Sequence, residues 1–206
     1  MGTERDVAAF LAISRDVFAP LYPYYADRFL KQSGVTRGVC LDLGCGGGGL
    51  GLAVAAASGC FAVLLDQSPA MVRAAAGEAA GRGLAGRAVA LAADVHALPL
   101  PDGCVDLAVS RGSLMFWEDL PRAFSEIRRV LSPRGRAFLG GGLGSPAIRE
   151  AICRRMASRD PRWAKGPPPP RPGTEPETHA RLLRAAGIHP FAIAREDAGH
   201  WIEFGK

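Results

Sequence analysis

Short runs of apolar and β-branched residues alternate along this chain with longer segments whose apolar positions recur every three or four residues. Runs of the first kind suit strands buried on both faces, and segments of the second suit helices that cover them. The runs 39–43, 61–65, 88–92, 105–110, 136–140, 190–195 and 200–204 read as seven strands. Ser68 before Pro69 reads as an N-cap and first helical residue, so a helix through Met71 and Val72 starts there and ends near Gly81 or Gly83. The clearest helix spans 120–131: Leu120, Ala123, Phe124, Ile127, Val130 and Leu131 share one stripe, opposite Arg122, Glu126 and Arg129. Two more helices are expected before the first strand, parted at residues 19–23, one through Ile148 and Met156, and one over 175–186 that stops at Gly187. Only a few residues join the last two strands, too few for a parallel crossover, so they form an antiparallel hairpin. The pattern predicts an α/β fold: a doubly wound, mostly parallel sheet covered on both faces.

Composition narrows the class. At 206 residues, 48% of them hydrophobic, the chain suits a single domain with one substantial core. Five scattered cysteines, odd in number and with no C-x-x-C pair, read as reduced thiols. No basic start followed by an apolar run opens the chain, and no segment is long and apolar enough to span a bilayer, so a cytoplasmic protein without a membrane partner is expected. The net charge of +5 rests on 22 arginines and three lysines, densest between Arg149 and Arg171. Without interleaved aromatics or a helix-turn-helix pattern, that segment reads as a solvated helix face, and nucleic acid is not an expected partner. His96, His179, His189 and His200 are dispersed without ligand spacing, so no metal is expected. Prolines 167–170 exclude helix interior and read as part of an extended connector over 165–173.

The candidate chemistry begins where the first strand runs into Gly44-Cys45-Gly46-Gly47-Gly48-Gly49. Glycines let the backbone turn tightly and let a ligand approach it without meeting a Cβ. Gly44, Gly46 and Gly49 also satisfy the dinucleotide pattern G-x-G-x-x-G, with Asp66 at a suitable distance to hold a ribose, so the glycines alone leave NAD open. Asp42 favours another ligand. A carboxylate two residues before the first glycine falls where a dinucleotide strand usually carries an apolar residue, and a buried charge needs a partner or a purpose.

Here the chain resembles the class I S-adenosylmethionine-dependent methyltransferases of the type 11 group. Asp42, Gly44 and Gly46 match that family's first motif; Leu64-Leu65-Asp66-Gln67-Ser68-Pro69-Ala70-Met71 looks like its second-strand acid and following helix. Ala93-Asp94-Val95-His96 resembles the adenine-binding stretch, and Leu98 to Gly103 the loop before the fourth strand. Arg129-Val130-Leu131-Ser132-Pro133-Arg134-Gly135 resembles the turn R-V-L-K-P-G-G, with Arg134 in place of the first glycine. The resemblance implies a three-layer Rossmann-like sheet of seven strands with an antiparallel C-terminal hairpin. It also implies S-adenosyl-L-methionine as donor, S-adenosyl-L-homocysteine as product and a small-molecule methyl acceptor. Asp66 would hold both ribose hydroxyls and Asp94 the adenine amino group, although either acid could instead cap a helix or turn. Further donor contacts are expected from Asp42, Gly44, Cys45, Gly46, Gln67, Met71, Val95, Ser110 and Tyr25. Residues 1–36 would then be a helical lid, 37–142 the donor-binding core, and 143–206 a substrate-side helix, connector and closing hairpin.

Methyl transfer from a sulfonium is an in-line displacement of an activated leaving group, so alignment and exclusion of water carry most of the catalysis and a base is optional. Arg111, after the fourth strand, is a candidate for an acceptor carboxylate or phosphate, against a plain surface arginine. His96 is a candidate base, against a turn histidine. The helix through Ile148 and Met156, the connector with Arg162, Trp163 and Arg171, and the segment 22–25 are expected to wall the acceptor side. A donor-binding sensor without transferase activity and an NAD-dependent oxidoreductase are the alternatives.

Overall fold

The computed structural model describes residues 4–169, 173–196 and 199–206. Two helices, α1 (Glu4–Asp16) and α2 (Leu21–Ser33), precede β1 (Arg37–Leu43), α3 (Gly49–Ala57), β2 (Gly59–Asp66), α4 (Pro69–Gly81), β3 (Ala88–Ala92) and β4 (Val105–Arg111). After these come α5 (Leu120–Val130), β5 (Leu131–Gly141), α6 (Pro146–Ala157), α7 (Pro176–Ala185), β6 (Phe191–Glu196) and β7 (Gly199–Gly205). The sheet has seven strands in the order β3-β2-β1-β4-β5-β7-β6. β3 through β5 pair in parallel, while β7 runs antiparallel to both β5 and β6. The expected α/β sheet with its closing hairpin is therefore present. The chain reverses its direction of travel across the sheet between β1 and β4, and the crevice at their carboxyl ends is where a doubly wound sheet receives ligands.

Alternation along the strands divides the core. Leu41 and Leu43 of β1 join Phe124 and Ile127 of α5, Leu183 of α7 and Phe204 of β7 on one face. Cys40, from the same strand, joins Leu21, Tyr25 and Phe29 of α2 with Phe138 and Trp201 on the other. Phe29 stacks on Phe138 at 4.6 Å and meets Trp201 edge-on at 4.8 Å, so aromatic contacts fasten α2 to the middle of the sheet. α5 starts at Leu120, where its spacing predicts; Asp119 caps it by accepting from Arg122 N at 3.0 Å, and its buried stripe is Ala123, Phe124, Ile127 and Val130. Across from α5, His179 of α7 is buried with its Nδ1 2.7 Å from His200 Nε2 on β7.

One boundary differs from expectation. Leu131, read as the end of a helix, instead opens β5 and pairs with Val105, after which the register jumps to Leu107 opposite Arg136. The motif 132–135 is thus a bulge inside a strand. Leu131 is fully buried, and pairing with β4 holds it in the sheet while the four residues after it loop out. Residues 170–172, with Arg171 of the connector, and residues 197–198 of the hairpin link lie outside the described residues.

Candidate functional site

The glycine loop is shaped by backbone conformations that suit glycine. Gly44, Gly46 and Gly48 have φ of 64°, 54° and 78°. At Gly44 space is restricted as well, because a Cβ would lie 2.6 Å from that of Ser113. Cys45 N donates to Leu65 O at 2.9 Å, which ties the loop to the end of β2. Asp66 closes the arrangement from the same strand: one carboxylate oxygen accepts from Gly46 N and the other from Ser68 N, each at 2.9 Å. Beneath the loop Asp42 is 2% exposed and accepts from Gly51 N at 2.8 Å. Burial pushes its carboxyl up to about 7; the Gly51 bond opposes this and the nearby Asp66 charge adds to it. The Cys45 thiol is pushed well up by burial and then by Asp42 and Asp66.

No salt bridge among the described residues involves Asp42 or Asp66. A glycine cradle flanked by two carboxylates that face only backbone N–H groups favours a cationic ligand and repels a pyrophosphate. S-adenosyl-L-methionine, with a sulfonium, an ammonium and a ribose diol, fits that set of acceptors. Asp66 keeps acceptor capacity for hydroxyls, since each carboxylate oxygen has two lone pairs.

The remaining expected donor contacts divide into two groups. Gln67 is exposed and Met71 half-buried at the start of α4, with Met71 N donating to Ser68 Oγ at 3.5 Å. Asp94, expected at the adenine, is exposed beyond β3, and Val95 after it is buried. Asp94 Oδ1 accepts from His96 N at 2.9 Å and lies 2.6 Å from His96 Nδ1. The His96 N–H, then the His96 ring and Arg122, hold the Asp94 carboxyl below its ordinary range. His96 Nε2 accepts from Asp119 N at 3.2 Å, so both ring nitrogens are engaged in pinning this loop to the start of α5. Ser110 is fully buried; its hydroxyl donates to Leu43 O at 2.8 Å and contacts Ser113 Oγ, clamping β4 to β1 under the loop.

Tyr25 is placed away from the glycine loop. Its ring belongs to the aromatic core, and its hydroxyl donates to Glu196 at 2.7 Å and accepts from Gly144 N at 3.0 Å. Burial and then Glu196 push its phenol upward. Tyr22 takes the position against the loop: a Cβ on Gly49 would lie 2.6 Å from its ring, while one on Gly46 would lie 3.0 Å from Phe10 and one on Gly47 2.9 Å from Leu11. α1 and the start of α2 therefore lie across the glycines, a placement of Phe10 and Leu11 that sequence reasoning missed. The signal available was an aromatic and a leucine on a helix preceding the sheet.

Arg111, at the end of β4, points its guanidinium at the ring of Phe18, 5.0 Å from the centroid. On the acceptor side, α6 meets the amino-terminal helices through buried Ile152 and Met156, and Arg159 pairs with Asp16 at 3.0 Å. Trp163 packs partly against the same cluster, whereas Arg162 is exposed and paired with Asp160.

A doubly wound sheet, a glycine loop set between unpaired acids at its switch point and an antiparallel final hairpin together define the class of Rossmann-like methyl-donor-binding proteins. The comparisons agree: a family model for the methyltransferase domain matches residues 41–139. Malonyl-[acyl-carrier protein] O-methyltransferase of Geobacter sulfurreducens is 34% identical over 90% of this chain and 70% of its own length. Nocamycin O-methyltransferase of Saccharothrix syringae is 33% identical over 91% of this chain, which spans 65% of that relative. A Methanococcus maripaludis protein, described as a candidate S-adenosyl-L-methionine-dependent methyltransferase, superposes with a TM-score of 0.87 at 34% identity, covering 98% of this chain and 92% of its own. The chain belongs to the S-adenosyl-L-methionine-dependent methyltransferase family.

Proposed function

We propose that this protein transfers the methyl group of S-adenosyl-L-methionine to an oxygen of a small molecule, by in-line displacement at the carboxyl edge of the sheet. The observation that carries the reading is the pair Asp42 and Asp66 around the glycine loop, without a basic partner among the described residues. When bound, the donor supplies a methyl group already activated by the sulfonium. The protein's share is positional: Asp66 holds the ribose, Asp42 holds Gly51 N at the start of α3 and so fixes the loop, and α1 with Tyr22 closes over the glycines and excludes water. Two O-methyltransferases among the relatives support oxygen as the acceptor atom. His96 is not needed as a base in this scheme, because its ring nitrogens hold Asp94 and Asp119. Residues 1–36 act as the lid, 37–142 hold the donor, and 143–206 complete the acceptor side in one domain. All five cysteines are free and no described helix is long and apolar enough to cross a membrane, which supports a cytoplasmic site of action.

Calorimetry tests the donor site. S-adenosyl-L-homocysteine should bind saturably and NAD should not, and Asp66→Ala should weaken the product about ten- to a hundredfold, the worth of charge-assisted hydrogen bonds. Saturable NAD binding in place of S-adenosyl-L-homocysteine would replace the proposal with an oxidoreductase. Incorporation of label from a methyl-labelled donor into extract metabolites tests transfer, and donor binding without any incorporation would leave a sensor.

A further inference from the structure

Arg111 stands at the carboxyl end of β4, half-buried, and the surroundings of its guanidinium are unusual for a cation. Its Nε is closed to solvent and has no hydrogen-bond partner, and its Nη2 has a single long contact, 3.5 Å to Gly142 O. No carboxylate among the described residues pairs with it. Glu196, whose charge reaches it, is already bound by Arg28 and Tyr25. The guanidinium instead lies against Phe18 and, at 6.0 Å, against Tyr22. Ring faces attract a cation, but they offer no acceptor for the N–H groups. A desolvated guanidinium without an anion is destabilising, and burial lowers its affinity for its own proton.

Nε and Nη2 form the side edge of the guanidinium, the fork that accepts both oxygens of a carboxylate in parallel hydrogen bonds. We infer that Arg111 is the acceptor-recognition residue of this cleft and that the acceptor carries a carboxylate which docks on that unsatisfied edge. The inference rests on the methyl-transfer reading and names the acceptor's class. A carboxylate suits the site in a second respect: it is ionised at neutral pH and requires no base to make it so. Phe18, between α1 and α2, and Tyr22, in the first turn of α2, cover the guanidinium, so these two rings are what an incoming acceptor displaces. They then re-form the apolar cover that strengthens the ion pair.

The test uses the full chain saturated with S-adenosyl-L-homocysteine and titrated with glutarate, dimethyl glutarate and butyl phosphate. Glutarate should bind the unaltered protein and bind at least about tenfold more weakly to both Arg111→Lys, which keeps the charge but loses the fork, and Arg111→Met. Dimethyl glutarate should bind none of the three. S-adenosyl-L-homocysteine affinity should stay within about twofold throughout, and Arg111→Met should unfold at an equal or higher temperature because an uncompensated buried charge is gone. Equal glutarate affinity in all three proteins, or preference for butyl phosphate, would overturn the assignment. So would absence of glutarate binding by the unaltered protein, or a lower unfolding temperature in Arg111→Met with unchanged glutarate affinity. A protein that fails to bind S-adenosyl-L-homocysteine at all would instead refute the donor reading.

Discussion

Asp42 was conspicuous in the sequence because a carboxylate interrupts an apolar strand, and the structure shows what that interruption entails. Among the described residues its only hydrogen-bond donor is Gly51 N, and burial pushes its carboxyl up to about 7, from an ordinary 3.8. A carboxyl whose folded value is raised binds protons more readily in the folded state, so this residue's contribution to stability falls as pH rises from 4 through 7. Ionising it costs the folded protein on the order of 4 kcal/mol above pH 7. Asp42→Asn, whose amide oxygen still accepts from Gly51, should therefore raise the unfolding temperature at pH 8, by roughly 2–4 °C per kcal/mol recovered, and by less at pH 5. The same variant should bind S-adenosyl-L-homocysteine more weakly, and paired thermal melts and calorimetry check both outcomes. A lower melting temperature at pH 8 would show that the charge stabilises the loop. Tyr25 was less legible. Phe18, Tyr22, Tyr24 and Tyr25 crowd one short stretch, and helical phase alone does not say which ring meets the glycines; contact with the sheet sends Tyr25 inward and Tyr22 to the loop.

At the scale of elements, periodicity was informative wherever one face of a helix or strand is buried. α5 shows the stripe that its spacing predicts, and the Ser68-Pro69 start of α4 is where the cap signal puts it. The bulge in β5 was not legible, because its cause is the fit of Leu131 against Val105 across the sheet and no local signal carries that. Neither did spacing suggest that His179 and His200, 21 residues apart, would meet between α7 and β7. Burial, and then the His200 charge, lower His179 from 6.5 to about 4, opposed by Glu175; His200 is lowered too, by burial and Arg195, opposed by Glu177. A histidine kept neutral by the fold costs nothing above its unfolded value. Below pH 6.5 the unfolded chain takes up a proton that the folded one refuses, so stability should fall by about 3 kcal/mol between pH 6.5 and pH 4. Urea titrations across that range should show the decline in the unaltered protein and a flatter profile in His179→Leu. Parallel profiles would remove the pair as its cause.

For the molecule as a whole, the alternation of strands and helices was enough to predict a doubly wound sheet, because each parallel strand demands a covering helix. How the amino-terminal helices dock was not readable, since the contacts that fasten α2 to the sheet are with residues more than a hundred positions away: Phe29 with Phe138 and Trp201, Tyr25 with Gly144 and Glu196. Phe29→Ala should cost about 3–5 kcal/mol, typical of a large buried aromatic, and denaturant melts should show it; a loss under about 1 kcal/mol would mean that α2 is held by other contacts. The strand order holds a further implication for how this chain is made. β7 is made after both of its neighbours, yet it lies inside the sheet, between β5 and β6. While the ribosome is still translating residues 199–205, β5 presents an unpaired edge and β6 has no ladder to join, so the nascent sheet is open to pairing with neighbouring chains. A polypeptide halted before residue 199 would be left with that edge exposed, which makes synthesis through β7 the step that closes the sheet.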